Sequence, residues 1–360
     1  MKIPQLNFIR FVLSLAIVVF HSGLTIYPFD QPVLRALFSS ANLGVSIFFV
    51  LSGFVLVITY HDAEKGPVLN KEQYWINRLA RIYPVYLFSM ILCFIATLLA
   101  NPAAIRPLPV LLSMLLLQAW IPPFPLYMNG LAWALSVQLF FYVIFPYVLP
   151  VLASLSTSRL IKVVSAFWAF SLFVHVFLIE TMYGEGPAFT HDVIFYNPLM
   201  HVNSFIVGIG GGLMLQRLPA GGNSYVPGLC MLFSGACLAA LILVPNPVIR
   251  FGHNGLLAPL GMLFIFGLAK DRSGLSRLLM SRPVMLLGEL SFGIFILQGP
   301  LKILVRYQYI THGVTWSSPV RFHVYLVLLA MLALASYYLI EKPARNIIKR
   351  LFASPASLAG

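Results

Sequence analysis

Apolar runs long enough to cross a bilayer, about 20 residues each at 1.5 Å rise, recur from one end of the chain to the other. They place spans at roughly 8–27, 41–60, 82–100, 131–150, 163–180, 199–216, 226–245, 255–269, 284–305 and 322–340, ten membrane helices in all. A further apolar segment, 108–120, is short for a span and runs into the proline-rich "IPPFPLYMNG". It reads as a re-entrant or interfacial helix. No internal repeat, low-complexity tract or large extramembrane segment interrupts the pattern. The expectation is an all-α, polytopic membrane protein with one transmembrane domain over 1–350 and a short cytoplasmic tail at 351–360.

Composition agrees with that pattern. Of 360 residues, 60% are hydrophobic and 9% charged, and the mean hydropathy is +0.90, which excludes a water-soluble domain of this size. Cys93, Cys230 and Cys237 lie inside apolar runs without CxxC or metal-ligand spacing and read as small packing residues. Lys2 and Arg10 before an apolar run resemble a signal peptide, but no clear small-residue cleavage site follows directly, so an uncleaved first span is expected.

The net charge of +13 reports orientation before it reports a partner, and no nucleic acid is expected. With ten spans and a cytoplasmic N-terminus, the inside segments hold Lys65, Lys71, Arg78, Arg81, Arg159, Lys162, Arg217, the basic loop "KDRSGLSRLLMSR" at 270–282 and the basic C-terminal segment. The outside segments hold only Arg35, Arg106, Arg250, Arg306 and Arg321. Counting 108–120 as a span would put the 270–282 loop outside, so both termini are placed in the cytoplasm. The outer loop 181–198 has no Lys or Arg and offers Glu185, His191 and Asp192 with several aromatics, as a sugar contact or an ordinary connector.

Four stretches carry candidate chemistry. In "NFIRFVLSLAIVVFH", Arg10 and His21 are eleven residues apart, about three helical turns, so they share nearly one face and lie roughly 16 Å apart along the axis. An ionisable group at membrane depth usually faces the bundle interior or a wet cavity, which makes His21 a candidate general base. The competing reading is that Arg10 snorkels to lipid phosphates while His21 makes one interhelical hydrogen bond. In "NRLARIYPVY", Arg78 and Arg81 are three apart on one helical face and suit phosphates, or serve as a positive anchor.

In "GVSIFFVLSGFVL", Gly44, Ser46, Ser52 and Gly53 interrupt bulky residues, and close helix packing is the leading reading. In "NGLAWALSVQLFFYVIFP", Trp133, Ser136, Gln138 and Tyr142 bring polar groups to the start of a span, although Trp and Tyr also serve as interfacial anchors. Towards the C-terminus come "LGELSFGIFILQGPL" and "YLIEKPARNIIKR", whose Pro343 should end or kink the last span and whose Glu341 reads as structural.

Together these segments resemble acyltransferase family 3, bacterial integral-membrane O-acyltransferases of cell-surface and exported glycans, over nearly the whole chain. The resemblance rests on the Arg10 and His21 spacing, then "FFVLSGFVL", then the Arg78 and Arg81 pair in "RLARIYPVY". It implies a ten-span domain in the bacterial inner membrane that moves an acyl group, commonly acetyl from acetyl-CoA, to a carbohydrate hydroxyl, with no permanently bound cofactor or metal.

By that resemblance Arg78 and Arg81 hold phosphates of the acyl-CoA donor, Arg10 assists at the cytoplasmic mouth, and His21 deprotonates the acceptor hydroxyl or helps shuttle the acyl group. Ser52, Trp133, Ser136, Gln138 and Tyr142 support the site. The expected partners are acyl-CoA, a carbohydrate acceptor that is lipid-linked or free, and membrane lipids. Three positions depart from the family pattern: Gln138 where glutamate is usual, Gln298 where histidine is usual, and Ser204 where an acidic residue often stands. Glutamine cannot accept a proton at neutral pH, so His21 either acts without an orienting carboxylate or draws on a loop acid. A transporter or flippase, and a family member that has lost catalysis, are the alternatives.

Overall fold

The computed structural model describes residues 3–183, 189–218, 225–244, 247–312 and 316–352. Glu185, Lys2 and the tail beyond residue 352 lie outside the described residues. In chain order the α-helices are α1 (Leu6–Ser22), α2 (Pro32–Ser39), α3 (Gly44–Tyr60), α4 (Lys71–Ala100), α5 (Pro107–Met114), α6 (Trp133–Ala153), α7 (Thr157–Met182) and α8 (Phe189–Tyr196). They continue with α9 (Val202–Arg217), α10 (Val226–Leu243), α11 (Ala258–Lys270), α12 (Gly274–Leu279), α13 (Arg282–His312), α14 (Ser318–Ser336) and α15 (Lys342–Leu351).

Eight helical stretches among the described residues are long and apolar enough to cross a membrane, and the shorter apolar helices α1 and α11 make up the set expected from the sequence. The chain is a polytopic, all-α membrane protein. The segment 108–120 forms only the eight-residue α5 and a short 3-10 turn at Gln118–Trp120, too short to span. Its Leu108 and Leu111 are exposed while Leu112 is buried, the one-sided burial of an interfacial helix. Ser136 donates to Leu116 O at 2.5 Å and Tyr83 to Met114 O at 3.0 Å, which pins this segment to the bundle.

The close pairs at the centre are α3 with α9, α1 with α13 and α4 with α13. Glycines make the first of these. A β-carbon on Gly53 would run into the Phe205 carbonyl of α9, and one on Gly208 into the Val50 carbonyl of α3. Small residues let the two backbones approach, as the packing reading of "LSGF" requires. Stacked Phe141 and Phe205, with centroids 4.4 Å apart, extend the same core towards α6. Helices α7 and α10 are largely exposed and stand at the periphery.

Pro343 does not end the last helix. A proline clashes with the carbonyl four residues earlier and lacks an N–H, and the chain answers with one π-helical turn at Tyr337–Glu341 immediately before α15. The extra residue in that turn changes which way Glu341 faces. Glu341 is 4% exposed and lies inside the bundle, where it lines a cavity together with Arg10, Arg78 and Arg81.

Candidate functional site

Two cavities lie back to back in the bundle. The first, about 140 Å³, is lined by Arg10 and Ser14 from α1, Ser52 from α3, Arg78 and Arg81 from α4, Gln138 and Tyr142 from α6, Glu289 from α13, and Glu341. The second, about 630 Å³, is lined by His21 from α1, Trp133 from α6, His191 and Tyr196 from α8, His253, and Gln298 and Lys302 from α13. Val45 and Phe295 line both. These two apolar side chains, 7% and 9% exposed, form the wall between an arginine cavity and a histidine cavity.

The arginine cavity gathers most of the residues singled out in the sequence. Arg10 does not snorkel away from the bundle; among the described residues its η1 nitrogen reaches Asn7 Oδ1 alone, at 3.4 Å. Arg78 donates through an η2 N–H to Tyr60 Oη at 2.9 Å, with its guanidinium carbon 5.2 Å from the Tyr60 ring centroid, while its buried Nε has no hydrogen-bond partner. The nearest ion pair is Arg345 with Glu289, at 3.9 Å. Most guanidinium donors facing the cavity are therefore uncommitted, the condition under which arginine forks bind phosphate oxygens.

Gln138 donates its amide to Ser52 Oγ at 2.7 Å. That pair sits in the arginine cavity, whereas His21 lines the other one, so a carboxylate at 138 would not have been the direct partner of the imidazole. The acids supplied instead are Glu289 and Glu341, both on helical segments rather than in a loop. The sequence reads Glu341 as structural and gives Glu289 no role, because the one adjoins a basic tail and the other a plain apolar run. The available signal was an acid within a membrane-spanning run, which is costly unless it faces the interior.

His21 ends α1. Its Nδ1 contacts Ile17 O at 2.9 Å, and because a carbonyl only accepts, Nδ1 carries the proton and Nε2 of the neutral ring presents a lone pair. Lys302 Nζ donates to the His21 carbonyl at 2.6 Å and brings a cation to the same cavity. Gln298 donates to Phe295 O at 2.9 Å, and its side chain lies beside the His21 ring. A tautomer with its lone pair on Nε2, in a cavity shared with the Gln298 side chain, is an arrangement a general base can use.

Trp133 is a wall of the histidine cavity, packed at 5.2 Å from the Tyr196 ring, 5.2 Å from His201 and 5.5 Å from His253. Of the outer-loop residues, His191 contributes to this cavity and contacts Asp192 Oδ1 at 3.4 Å. Ser136 lines neither cavity and works through the Leu116 carbonyl. Ser204 is fully buried, its hydroxyl 3.3 Å from Asn203 Oδ1. His253 escaped notice because it stands in a polar stretch between two apolar runs, where a loop is the default reading.

A family model described as an acyltransferase domain matches residues 3–340. The chain is 32% identical over 158 residues to an acyltransferase, MdmB, of Streptomyces mycarofaciens, covering 40% of this chain and 38% of that one. It is 24% identical over 334 residues to the O-acetyltransferase OatA of Staphylococcus aureus, covering 86% of this chain and 53% of that one. A putative O-acetyltransferase of S. aureus strain COL is 20% identical over 96% of this chain and 57% of its own length. The chain thus spans about two fifths to just over half the length of these relatives. No solved structure matches it significantly. Because the family match runs through almost the whole helical bundle, the chain belongs to acyltransferase family 3, the family that its Arg10 and His21 spacing resembles.

Proposed function

We propose that this protein is an O-acyltransferase of the bacterial cytoplasmic membrane that carries an acyl group, acetyl first, from a coenzyme A thioester to a hydroxyl of an exported carbohydrate. The observation that carries the reading is the shared Val45 and Phe295 wall, with uncommitted arginines on one side and His21 on the other. The excess of Lys and Arg on segments at the arginine end supports a cytoplasmic placing of that cavity.

Arg10, Arg78 and Arg81 hold the donor's phosphates, and the thioester end reaches the wall. At the histidine cavity the acceptor hydroxyl gives its proton to His21 Nε2 as its oxygen attacks the thioester carbonyl. The new C–O bond forms, the C–S bond breaks, and the departing thiolate takes the proton back from the imidazolium. No metal or bound cofactor enters that balance. Glu289 and Glu341 set the charge around the arginines in place of the glutamate absent at position 138.

The test is transfer from labelled acetyl-CoA to the glycans of membranes carrying wild-type protein or His21→Ala. Label on sugar with wild type, and none with a comparably expressed His21→Ala protein, is the expected result. Equal labelling by both removes His21 from the chemistry. Movement of glycan across the membrane without labelling by either points to a transporter instead.

A further inference from the structure

The histidine cavity contains a second imidazole whose surroundings are more elaborate than packing requires. His253 is 9% exposed and its Nδ1 lies 2.8 Å from Asn254 Oδ1. The amide of Asn254 is itself fixed, because its Nδ2 donates to Ile194 O at 2.6 Å and must therefore turn its oxygen towards the ring. An amide oxygen only accepts, so His253 Nδ1 carries the proton and Nε2 holds a lone pair.

The backbone is pinned as firmly. Ser46 Oγ donates to His253 O at 2.6 Å and Asn203 Nδ2 donates to Asn254 O at 2.8 Å. Gly255 follows with φ +92°, and a β-carbon there would collide with the Asn203 side chain, so glycine is needed for the pin to form. His253 Nε2 has no protein partner among the described residues, and the residue lines the cavity. Aromatic rings flank it, Trp133 at 5.5 Å and Tyr196 at 6.4 Å between centroids.

We propose that His253, Trp133 and Tyr196 form the subsite that holds the acceptor's sugar ring, with His253 Nε2 accepting a hydrogen bond from a hydroxyl neighbouring the one that is acylated. The inference rests on the histidine cavity being the acceptor side of the proposed transferase. The aromatic faces take the apolar C–H face of a pyranose, and the fixed lone pair decides which hydroxyl is turned towards His21. Among the described residues the lining offers imidazoles and Lys302 but no carboxylate. The subsite therefore takes a neutral or acidic sugar and not one with a free, protonated amine.

His253 and His21 divide the work by their settings. The exposed His21 can take up a proton and return it, whereas the buried His253 is held in one neutral tautomer and binds. His253 is a positioning residue by this argument, and its loss should move acceptor affinity and regiochemistry rather than donor binding.

The experiment uses the full chain in proteoliposomes with labelled acetyl-CoA and the methyl glycosides of glucose, galactose, mannose and glucuronic acid as acceptor probes. His253→Asn keeps an amide next to Asn254 but is too short to reach the cavity; His253→Gln places an oxygen close to the lost Nε2. Expected are an acceptor KM raised about tenfold or more in His253→Asn with donor KM unchanged, a mixture of positional esters by NMR, and recovery of most of the affinity and of the single ester in His253→Gln. Wild-type transfer with the same acceptor KM and the same single ester in His253→Asn overturns the subsite alone. Failure of the wild type to acylate any of these sugars, or native membrane glycans, overturns the transferase reading and the subsite with it.

Discussion

Removing one guanidinium from the arginine cavity tests the donor side directly. Arg78 commits one η2 N–H to Tyr60, at 2.9 Å, and lines the cavity, so a phosphate can engage it through its remaining η N–H groups. Hydrogen bonds to charged groups are worth about 1.5–3 kcal/mol each. Mutual repulsion among Arg10, Arg78 and Arg81 offsets part of that, because deleting one relieves the other two. A net loss of about 3 kcal/mol is then expected for Arg78→Ala, roughly a hundredfold in donor Kd.

The protein itself should tolerate the change. Lost are a single hydrogen bond to Tyr60 and a cation–π contact at 5.2 Å, each worth about 1 kcal/mol. Calorimetric titration of acetyl-CoA into detergent-solubilised wild type, Arg78→Ala and Arg81→Ala, repeated at low and high salt, separates the terms. Screening should weaken the wild type more steeply than either variant, since each has one fewer charge to screen. Unchanged donor Kd in both alanine variants, in protein of normal melting temperature, would refute phosphate binding and leave the pair as topological anchors.

Two further changes probe the wall and the scaffold. Phe295→Ala removes the larger of the two side chains shared by the cavities, and should broaden donor use from acetyl towards longer acyl chains in a competition assay; an unaltered chain-length profile counts against passage at this wall. Gly208→Val drives a side chain into the Val50 carbonyl of α3 and should lower the melting temperature by the equivalent of about 1–3 kcal/mol or more, whereas Gly228→Val, with open space around its β position, should leave it unchanged. Equal melting temperatures for those two variants would show that the α3 and α9 contact is not as close as described.

The spans were legible because a bilayer imposes one length on every crossing and no soluble fold shares it. Arg10, Arg78 and Arg81 were legible for a related reason, since charge at the rim of an apolar run has few places to go. Glu341 was hidden by two local facts that the sequence pattern does not combine. Its neighbours Lys342 and Arg345 disguise it as part of a basic tail, and the π turn forced ahead of Pro343 turns it inward. His253 was hidden because its tautomer depends on Asn254, whose orientation depends on the Ile194 carbonyl some sixty residues away. Positions 138 and 298 part company in the fold: Gln138 bonds to Ser52 in the arginine cavity, while Gln298 is the glutamine that shares a cavity with His21.

The spacing between Arg10 and His21 acquires a physical meaning from the wall. Eleven residues of helix at 1.5 Å each separate the two by roughly 16 Å, and α1 runs alongside α13 over that length. Ser14 of α1 still lies in the arginine cavity and Ile17 already lies in the histidine cavity, so the crossing falls between them. On α13 the same order recurs, with Glu289 on one side, Phe295 in the wall, and Gln298 and Lys302 on the other. A shorter spacing would leave the histidine behind the wall and a longer one would lift Arg10 out of the arginine cluster. Two neighbouring helices thus measure the same partition, which ties the position of the imidazole to the position of the arginines through helical backbone rather than through a loop.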